Sequence, residues 1–384
     1  MSLINTTQAA DEVEDDDDNI VPRTIFSSFL GFVSVSGFIG NSIVVLAVII
    51  FPKLRTTTNV YIASLAVGDV LMCLTIPWII VGLLVRDGWP FSPESCVLVA
   101  VMRFTCSGGS VWHLATIGFN RMILITTSSA TYRKVFSRVN TILILILTWM
   151  IPFSVIIVPF AVGATRLGYD DGPHMCSDLE DNDDGTENLT HSYLAATFLT
   201  CLPLGIVLMV YLRIFVCIRN HAKQQKSWGA SKPQAKGGAT TGSTSAAKDA
   251  PPDGKEQGTG GDLNEAGTSS NTANATSQKS ATGGTNKSRS ETSKLENRIT
   301  KNMFYVVLGF LVCVIPYGIV VLSNPGVAGV PLGQAFLLFN SCVNPLIYGT
   351  KHPHFRGAIR NIFRGRFKAP IATSATVAPT SQTT

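Results

Sequence analysis

Charge is what this 384-residue chain has least of. Asp, Glu, Lys and Arg make up 14% of it, against about 25% in ordinary soluble domains. So thin a polar coat excludes a water-facing surface over most of the length. No nucleophile is paired with a base, and no His, Cys, Asp and Glu fall at metal-ligand spacing, so an enzyme is not expected. His113, alone in an apolar run, reads as a structural histidine. No two halves repeat with helices broken at mid-depth, as a secondary transporter would show. No polar ring suggests a channel, and nothing points to a nucleic-acid partner. The first 22 residues are acidic and lack an apolar core, so no cleavable signal peptide is expected there. The segment after Lys368 has no cysteine, so tail palmitoylation is not suggested.

What the chain has is grease in blocks. Apolar residues are 46% of the whole and gather in seven runs near 25–50, 60–85, 94–127, 139–163, 191–221, 297–323 and 332–349. A spanning helix needs about 20 mostly apolar residues, so the fold class is an all-α membrane protein. The first run is expected to serve as an uncleaved insertion signal. The polar segments alternate in sign. Acids Asp11 to Asp18 precede the first span and Asp170 to Glu187 follow the fourth. Lys53, Arg55, Arg133, Lys134, Arg138, Lys351, Arg356, Arg360, Arg364, Arg366 and Lys368 lie on the other side. Basic residues near span ends mark the cytoplasm, so the N-terminus is expected outside a plasma membrane and the C-terminus inside. Sequons at Asn5 and Asn188 fall on the outer side and are open to N-glycosylation; those at Asn274 and Asn286 fall inside.

The expected organisation is an acidic outer tail over 1–24, spans one to five over 25–221, a loop over 222–296, spans six and seven over 297–349, a helix over 350–366 and a tail over 367–384. The loop is rich in Gly, Ser, Thr, Ala and Lys, and it and the tail cannot bury a core, so disorder is expected. The loop reads either as a phosphorylation platform or as a passive tether. Over 350–366, Phe355, Ile359, Ile362 and Phe363 recur at helical spacing beside Arg356, Arg360 and Arg364. That pattern suits a helix lying on the inner leaflet of the bilayer.

Of eight cysteines, Cys96 and Cys176 alone fall on the oxidising side, so a bridge between them is the natural pairing. The third run holds "IGFNRMILI", residues 117–125, with an arginine inside it. From Cys96 to Arg121 is 25 positions, about 37 Å of helix, enough to cross the membrane. Arg103, Ser107, Ser110 and Arg121 fall on one stripe. The stripe reaches the outer mouth, the midplane and the cytoplasmic floor. A buried charge is costly unless paired, and within a membrane it is usually functional.

These features resemble rhodopsin-like (class A) G-protein-coupled receptors. The matching residues are Gly40-Asn41 in the first span, "LAVGD" (65–69) in the second, Cys96 and "NRM" (120–122) in the third and Trp149 in the fourth. Pro203 and Tyr211 in the fifth, "FLVCVIP" (310–316) in the sixth and "NPLIY" (344–348) in the seventh continue the series. Within the class, "FPKLRTTTNVYIASLAVGD" and the Asn-Arg pair look nearest to the moody and trapped-in-endoderm receptors, with the medium-chain fatty-acid and melatonin receptors more distant. The resemblance implies a seven-transmembrane helix bundle with a short amphipathic eighth helix. It implies heterotrimeric G proteins, arrestin and receptor kinases as partners, besides the lipid bilayer and an unidentified extracellular ligand.

The resemblance also assigns roles. Arg121 would be the activation switch, held at rest by Glu296 and met on activation by Tyr211 and Tyr348, with Asn344, Pro345, Phe310 and Pro316 in the same machinery. A purely structural, snorkelling Arg121 is the plainer alternative. Asn120 replaces the family's usual Asp; an amide cannot form an ion pair, so raised basal signalling is expected, and Asn120→Asp should lower it. Met122 replaces the usual aromatic. Val314 stands where the family has a tryptophan, which casts doubt on a rotamer switch there. Asp69, Asn41, Ser110, Asn340, Ser341 and Asn344 match the sodium pocket, with Asp69 as the Na⁺ ligand; oxygen donors around a carboxylate suit a hard cation. The alternative is a water-filled network. No cofactor besides that allosteric ion is expected. Arg103 stands where amine receptors carry Asp, which disfavours a biogenic amine and favours an anion or a lipid-like acid. Phe104, Ser107, Trp78, Tyr317 and Gln334 would line the same cavity. Alternatively, Arg103 pairs with Glu94 or Asp178 and holds the outer loop. The competing functional reading is a seven-helix protein of adhesion or guidance, or a transporter, without direct G-protein activation.

Overall fold

The computed structural model describes residues 2–85, 87–179, 194–230, 304–319 and 329–367. Glu296, Asn188, the stretch 231–303 and the tail from 368 lie outside them, and of Asn5 only the helical backbone is described. The chain divides into two units, Met1–Ile218 with Leu295–Thr384, and Arg219–Lys294. The described part of the second unit, residues 219–230, is helical.

Five helices are long and apolar enough to cross a membrane: Arg23–Ile50, Thr57–Leu84, Pro93–Thr126, Arg138–Ala161 and Leu194–Asn220. A shorter apolar helix covers Phe304–Ile319, and another runs Gly329–Lys351. They stand in the seven apolar runs of the sequence and make the seven-span bundle. The helix that carries the first span begins at Ser2. The third span lies deepest: 61% of its most apolar window is buried, against 17% in the fourth. It is therefore the axis on which a site can be built.

Apolar side chains gain nothing by leaving lipid tails for one another, so spans associate through close packing and buried hydrogen bonds. Both are present. A Cβ on Gly40 would lie 2.8 Å from the Pro345 ring, and one on Gly118 would lie 2.9 Å from the Tyr211 ring. Glycine at these places lets the first span touch the seventh and the fifth touch the third. Trp149 Nε1 donates to Ser64 Oγ at 3.0 Å. Ser64 Oγ lies 2.9 Å from His113 Nε2, and His113 Nδ1 lies 2.7 Å from the Gly109 carbonyl. A carbonyl only accepts, so Nδ1 carries the hydrogen and Ser64 donates to Nε2. The isolated histidine is a tie between spans two, three and four.

Just after its start at Leu194 the fifth span makes one turn of π-helix, Thr197–Cys201. A π turn withdraws a carbonyl from the regular ladder, and Trp112 Nε1 supplies a donor to the Phe198 carbonyl at 3.1 Å. Between spans three and four a short helix, Ser129–Val135, is capped by Ser128, whose Oγ accepts from the Thr131 amide at 3.2 Å. The acidic outer loop contains a β-hairpin that periodicity did not reveal. β1 (Arg166–Asp170) pairs antiparallel with β2 (Met175–Leu179), with Tyr169 opposite Cys176. His174 closes the turn in the left-handed region, at φ 51°.

After Lys351 the seventh span ends at His352, whose Nδ1 accepts from the Phe355 amide at 3.5 Å. Pro353 opens the helix Pro353–Phe363, as its fixed φ suits a first helical position. Phe355 and Ala358 are fully buried on one face, while Phe363 is 75% exposed. The amphipathic helix after the seventh span is thus in place.

Candidate functional site

Three polar levels follow the third span from mouth to floor. At the mouth, Arg103 is only 3% exposed. Its Nη2 donates to the Cys176 carbonyl at 3.0 Å and to Ser177 Oγ at 3.2 Å. Nη1 lies 3.7 Å from Met175 Sδ, and the guanidinium sits 4.4 Å from the Phe104 ring centroid. A disulfide joins Cys96 to Cys176, with Cα atoms 5.3 Å apart. The hairpin is thus held to the third span by a covalent bond and by Arg103. Its turn rests on the second span, where Tyr169 Oη donates to the Gly82 carbonyl at 2.8 Å. Burial holds the Tyr169 phenol above its usual range, with Asp171 adding to the effect, Arg23 opposing it and Asp170 adding less.

Tyr317 hydrogen-bonds Gln334 and lies within the fields of Arg103 and Asp178. Arg103, Phe104, Tyr317 and Gln334 are therefore gathered beneath the hairpin, with Ser107 half-buried one turn lower on the same span. Trp78 is 40% exposed and meets Phe91 edge to face at 5.1 Å between centroids, in a cluster with Trp89 and Tyr169. Glu94 is exposed, so Asp178 is the acid in the field of the Arg103 group.

At the midplane, Ser341 Oγ donates to Asp69 Oδ1 and Asn344 Nδ2 to Asp69 Oδ2, each at 3.0 Å. Asn41 Nδ2 reaches the Ser341 carbonyl at 2.7 Å. Ser110 Oγ instead donates to the Cys106 carbonyl of its own helix at 2.9 Å, so its hydroxyl is turned along the span. The side-chain oxygens of Asn41, Asn340 and Asn344 are buried without a hydrogen-bond partner. Unpartnered oxygens on the first and seventh spans, one of them on a residue bonded to Asp69, are a donor set of the kind a small hard cation takes.

At the floor, Arg121 is 6% exposed and Asn120 wholly buried. Tyr211, Tyr348 and His352 are buried with them. The charge of Arg121 acts on Tyr211 and on His352, and Tyr211 lies in the field of Tyr348. Phe310 and Val314 join the two tyrosines in one apolar core. Val314 fills the place of the family's tryptophan with a small aliphatic side chain. Pro316 lies within the sixth span and Pro345 within the seventh, where the latter meets Gly40.

The Asn120 amide is taken up by two other elements. Thr58 Oγ1 donates to its Oδ1 at 2.6 Å, and its Nδ2 donates to Tyr132 Oη at 3.1 Å. Thr58 and Tyr132 were not among the sequence candidates. A threonine at the foot of one span and a tyrosine in a loop carry no periodic signal. His352 was missed as well. Burial, then the charge of Arg121, then His354, push its imidazole down to about 3. His354 is also held low, by burial and then by Lys53.

Comparison with known proteins gives a consistent result. Residues 40–348 match the family model described as 7 transmembrane receptor (rhodopsin family). Melatonin receptor type 1B of Mus musculus is 25% identical over 335 residues, covering 85% of this chain and 74% of that protein. The G-protein coupled receptor moody of Drosophila pseudoobscura pseudoobscura is 25% identical over 370 residues, covering 88% of this chain and 52% of that protein. Squid rhodopsin superposes with a TM-score of 0.64 at 20% identity, covering 90% of this chain and 87% of that one.

Proposed function

The chain belongs to the rhodopsin family of seven-transmembrane receptors, and from that membership we propose that it carries an extracellular signal to heterotrimeric G proteins by outward movement of the sixth span. It is a multi-pass membrane protein of the G-protein-coupled receptor class, and not an enzyme. The finer reading rests on one observation: a buried Arg121 at the cytoplasmic floor whose charge acts on Tyr211 and His352, from different elements. An arginine in low dielectric must be compensated, so any change of neighbour is a change of state. Glu296 is the neighbour proposed for the resting state, and Tyr211 and Tyr348 for the active one. The receptor sits in the plasma membrane with Asn5 and Asn188 outside and open to glycosylation. Arrestin and receptor kinases follow as partners of the activated floor.

The test is nucleotide exchange by a panel of purified heterotrimers on receptor in lipid nanodiscs. Arg121→Ala should abolish receptor-driven exchange at unchanged surface expression; exchange at the wild-type rate for every heterotrimer would defeat the proposal.

The ligand enters under the hairpin. Arg103 donates to Cys176 and Ser177, with Asp178 close by, which favours a role in holding the hairpin. An acidic or lipid-like ligand would bind by drawing Arg103 away from those oxygens. Asp69, with Asn41, Asn340, Ser341 and Asn344, would hold Na⁺ and so favour the resting state; Ser110 contributes only if its hydroxyl turns from Cys106. Asp69→Asn should remove the sodium sensitivity of basal exchange. Sensitivity kept in that variant points to a water-filled network.

A further inference from the structure

The foot of the sixth span is met from two sides, through two residues that are neighbours in sequence. Phe304 turns to the fifth span and meets the Tyr211 ring, 6.4 Å between centroids. Tyr305 turns to the seventh, and Lys351 Nζ stands over its ring, 5.6 Å from the centroid. Consecutive residues of a helix point about 100° apart, so one turn of the sixth span faces both neighbours.

The second contact completes a seam. Tyr305 and Gly309 lie one turn apart on the sixth span, and Val343, Ile347 and Lys351 follow at intervals of four on the seventh. Residues so spaced share a helix face. A Cβ on Gly309 would lie 2.7 Å from Val343 Cγ1 and 3.3 Å from Ile347 Cδ1. Glycine there lets the two spans close on each other. That close approach, one turn above, brings the Tyr305 ring within reach of the Lys351 amine.

Burial separates the two parts of this region. Val306, Val307 and Phe310 are buried in the core that holds Tyr211 and Tyr348. Tyr305 is 46% exposed, and Lys351 is exposed too. A cation over an aromatic face at such a site contributes modestly, and it can part without unpacking the core. Lys351 also stands in the last turn of its own helix, where the helix dipole favours a cation. The seventh span therefore sets the amine, and the sixth brings the ring to it.

We propose that Lys351 and Tyr305 form a latch that holds the sixth span against the seventh in the resting receptor, and that outward movement of the sixth span must part them. The inference rests on the coupling reading above. It adds to that reading an autoinhibitory contact on the side of the sixth span that faces the seventh. The latch joins a cation to a ring and is separate from the pairing of Arg121 with Glu296.

The experiment is a double-mutant cycle with Lys351→Met and Tyr305→Leu on receptor in lipid nanodiscs. Ligand-free nucleotide exchange by the heterotrimer that the wild type drives fastest reports coupling. Amide exchange over 304–310, taken without G protein, reports the foot of the sixth span. Each single variant should raise both about threefold, as loss of one cation–π contact at a half-exposed site would. The double variant should go no further than either single one, because the second change finds the pair already broken. Tyr305→Phe and Lys351→Arg should stay at the wild-type level, since ring and cation are kept. Single effects that multiply in the double variant would mean separate roles, and would overturn the proposal. So would wild-type values in both single variants, or a Lys351→Arg receptor as active as Lys351→Met. If Lys351→Met is not recovered folded, Tyr305→Leu against Tyr305→Phe decides, and equal exchange in the two overturns the proposal. A wild type that drives no heterotrimer overturns the coupling reading, and the latch then stands or falls on amide exchange. A coupling-competent receptor with the same amide exchange in every variant overturns this inference alone.

Discussion

The third span carries a buried arginine at each end, and the two are held in opposite ways. Arg103 at the mouth donates to a backbone carbonyl and a hydroxyl on a hairpin that is itself bonded covalently to the same span. Arg121 at the floor lies in the fields of a tyrosine on another span and of a histidine beyond the seventh. A buried cation needs company. Arg103 has it on a hairpin bonded covalently to its own span, while the groups in the field of Arg121 stand on two other elements. The same side chain on the same helix is thus a fastener at one end and a candidate switch at the other.

The sharpest way to break that comparison is to free the fastener. Cys176→Ser removes a bridge that spans 80 residues, and should cost about 2–5 kcal/mol of thermal stability. A receptor with an unchanged melting temperature would show that the hairpin is not held as described. Arg103→Ala should come next. It strips charged donors from the buried Cys176 carbonyl and Ser177, at a cost of about 1.5–3 kcal/mol. Amide exchange over 166–179 should speed up while ligand-free nucleotide exchange stays near wild type. Arg121→Ala should do the reverse, losing coupling and leaving the hairpin protected; if both variants shift both readouts, the division between the two ends fails.

A smaller effect should appear with pH at the floor. His352 keeps its neutral form in the closed junction because its imidazole is held at about 3, against an ordinary 6.5. Above pH 6.5 it is neutral whether the junction is open or closed, so it adds no pH dependence. As pH falls below that value the open junction takes up a proton that the closed one refuses. Closure should therefore weaken by about 1.4 kcal/mol per pH unit. Amides of 352–358 should open roughly tenfold more readily at pH 5.5 than at pH 7.5, after correction for intrinsic rates. His352→Asn, which keeps an N-cap acceptor, should remove most of that dependence and leave the smaller part due to His354, which is also held low; an undiminished pH response in the variant would assign it elsewhere.

The smallest expected change is at the fifth span. Trp112→Phe leaves the Phe198 carbonyl without its indole donor, and should lower stability by about 1 kcal/mol. No change would mean that the π turn needs no donor from the third span.

Much of this was legible in the order of residues. Seven apolar runs and the alternation of acidic and basic segments fix a seven-span topology, because lipid demands about 20 apolar residues per crossing. The stripe of Arg103, Ser110 and Arg121 places two charges on the buried side of the third helix, because helical geometry returns to one face. Cys96 and Cys176 were paired by compartment alone. Other features depend on which distant groups arrive together. The hairpin register, the turning of Ser110 toward Cys106, the edge-to-face contact of Trp78 with Phe91 and the capture of Asn120 by Thr58 and Tyr132 are of that kind. Thr58 and Asn120 are 62 residues apart and Arg103 and Cys176 73 apart, and no local pattern links them. The sequence by itself determined where the charges lie along the membrane. Only the folded bundle decided which groups meet each of them, because hydrogen-bond partners are settled by packing in three dimensions and not by spacing along one helix.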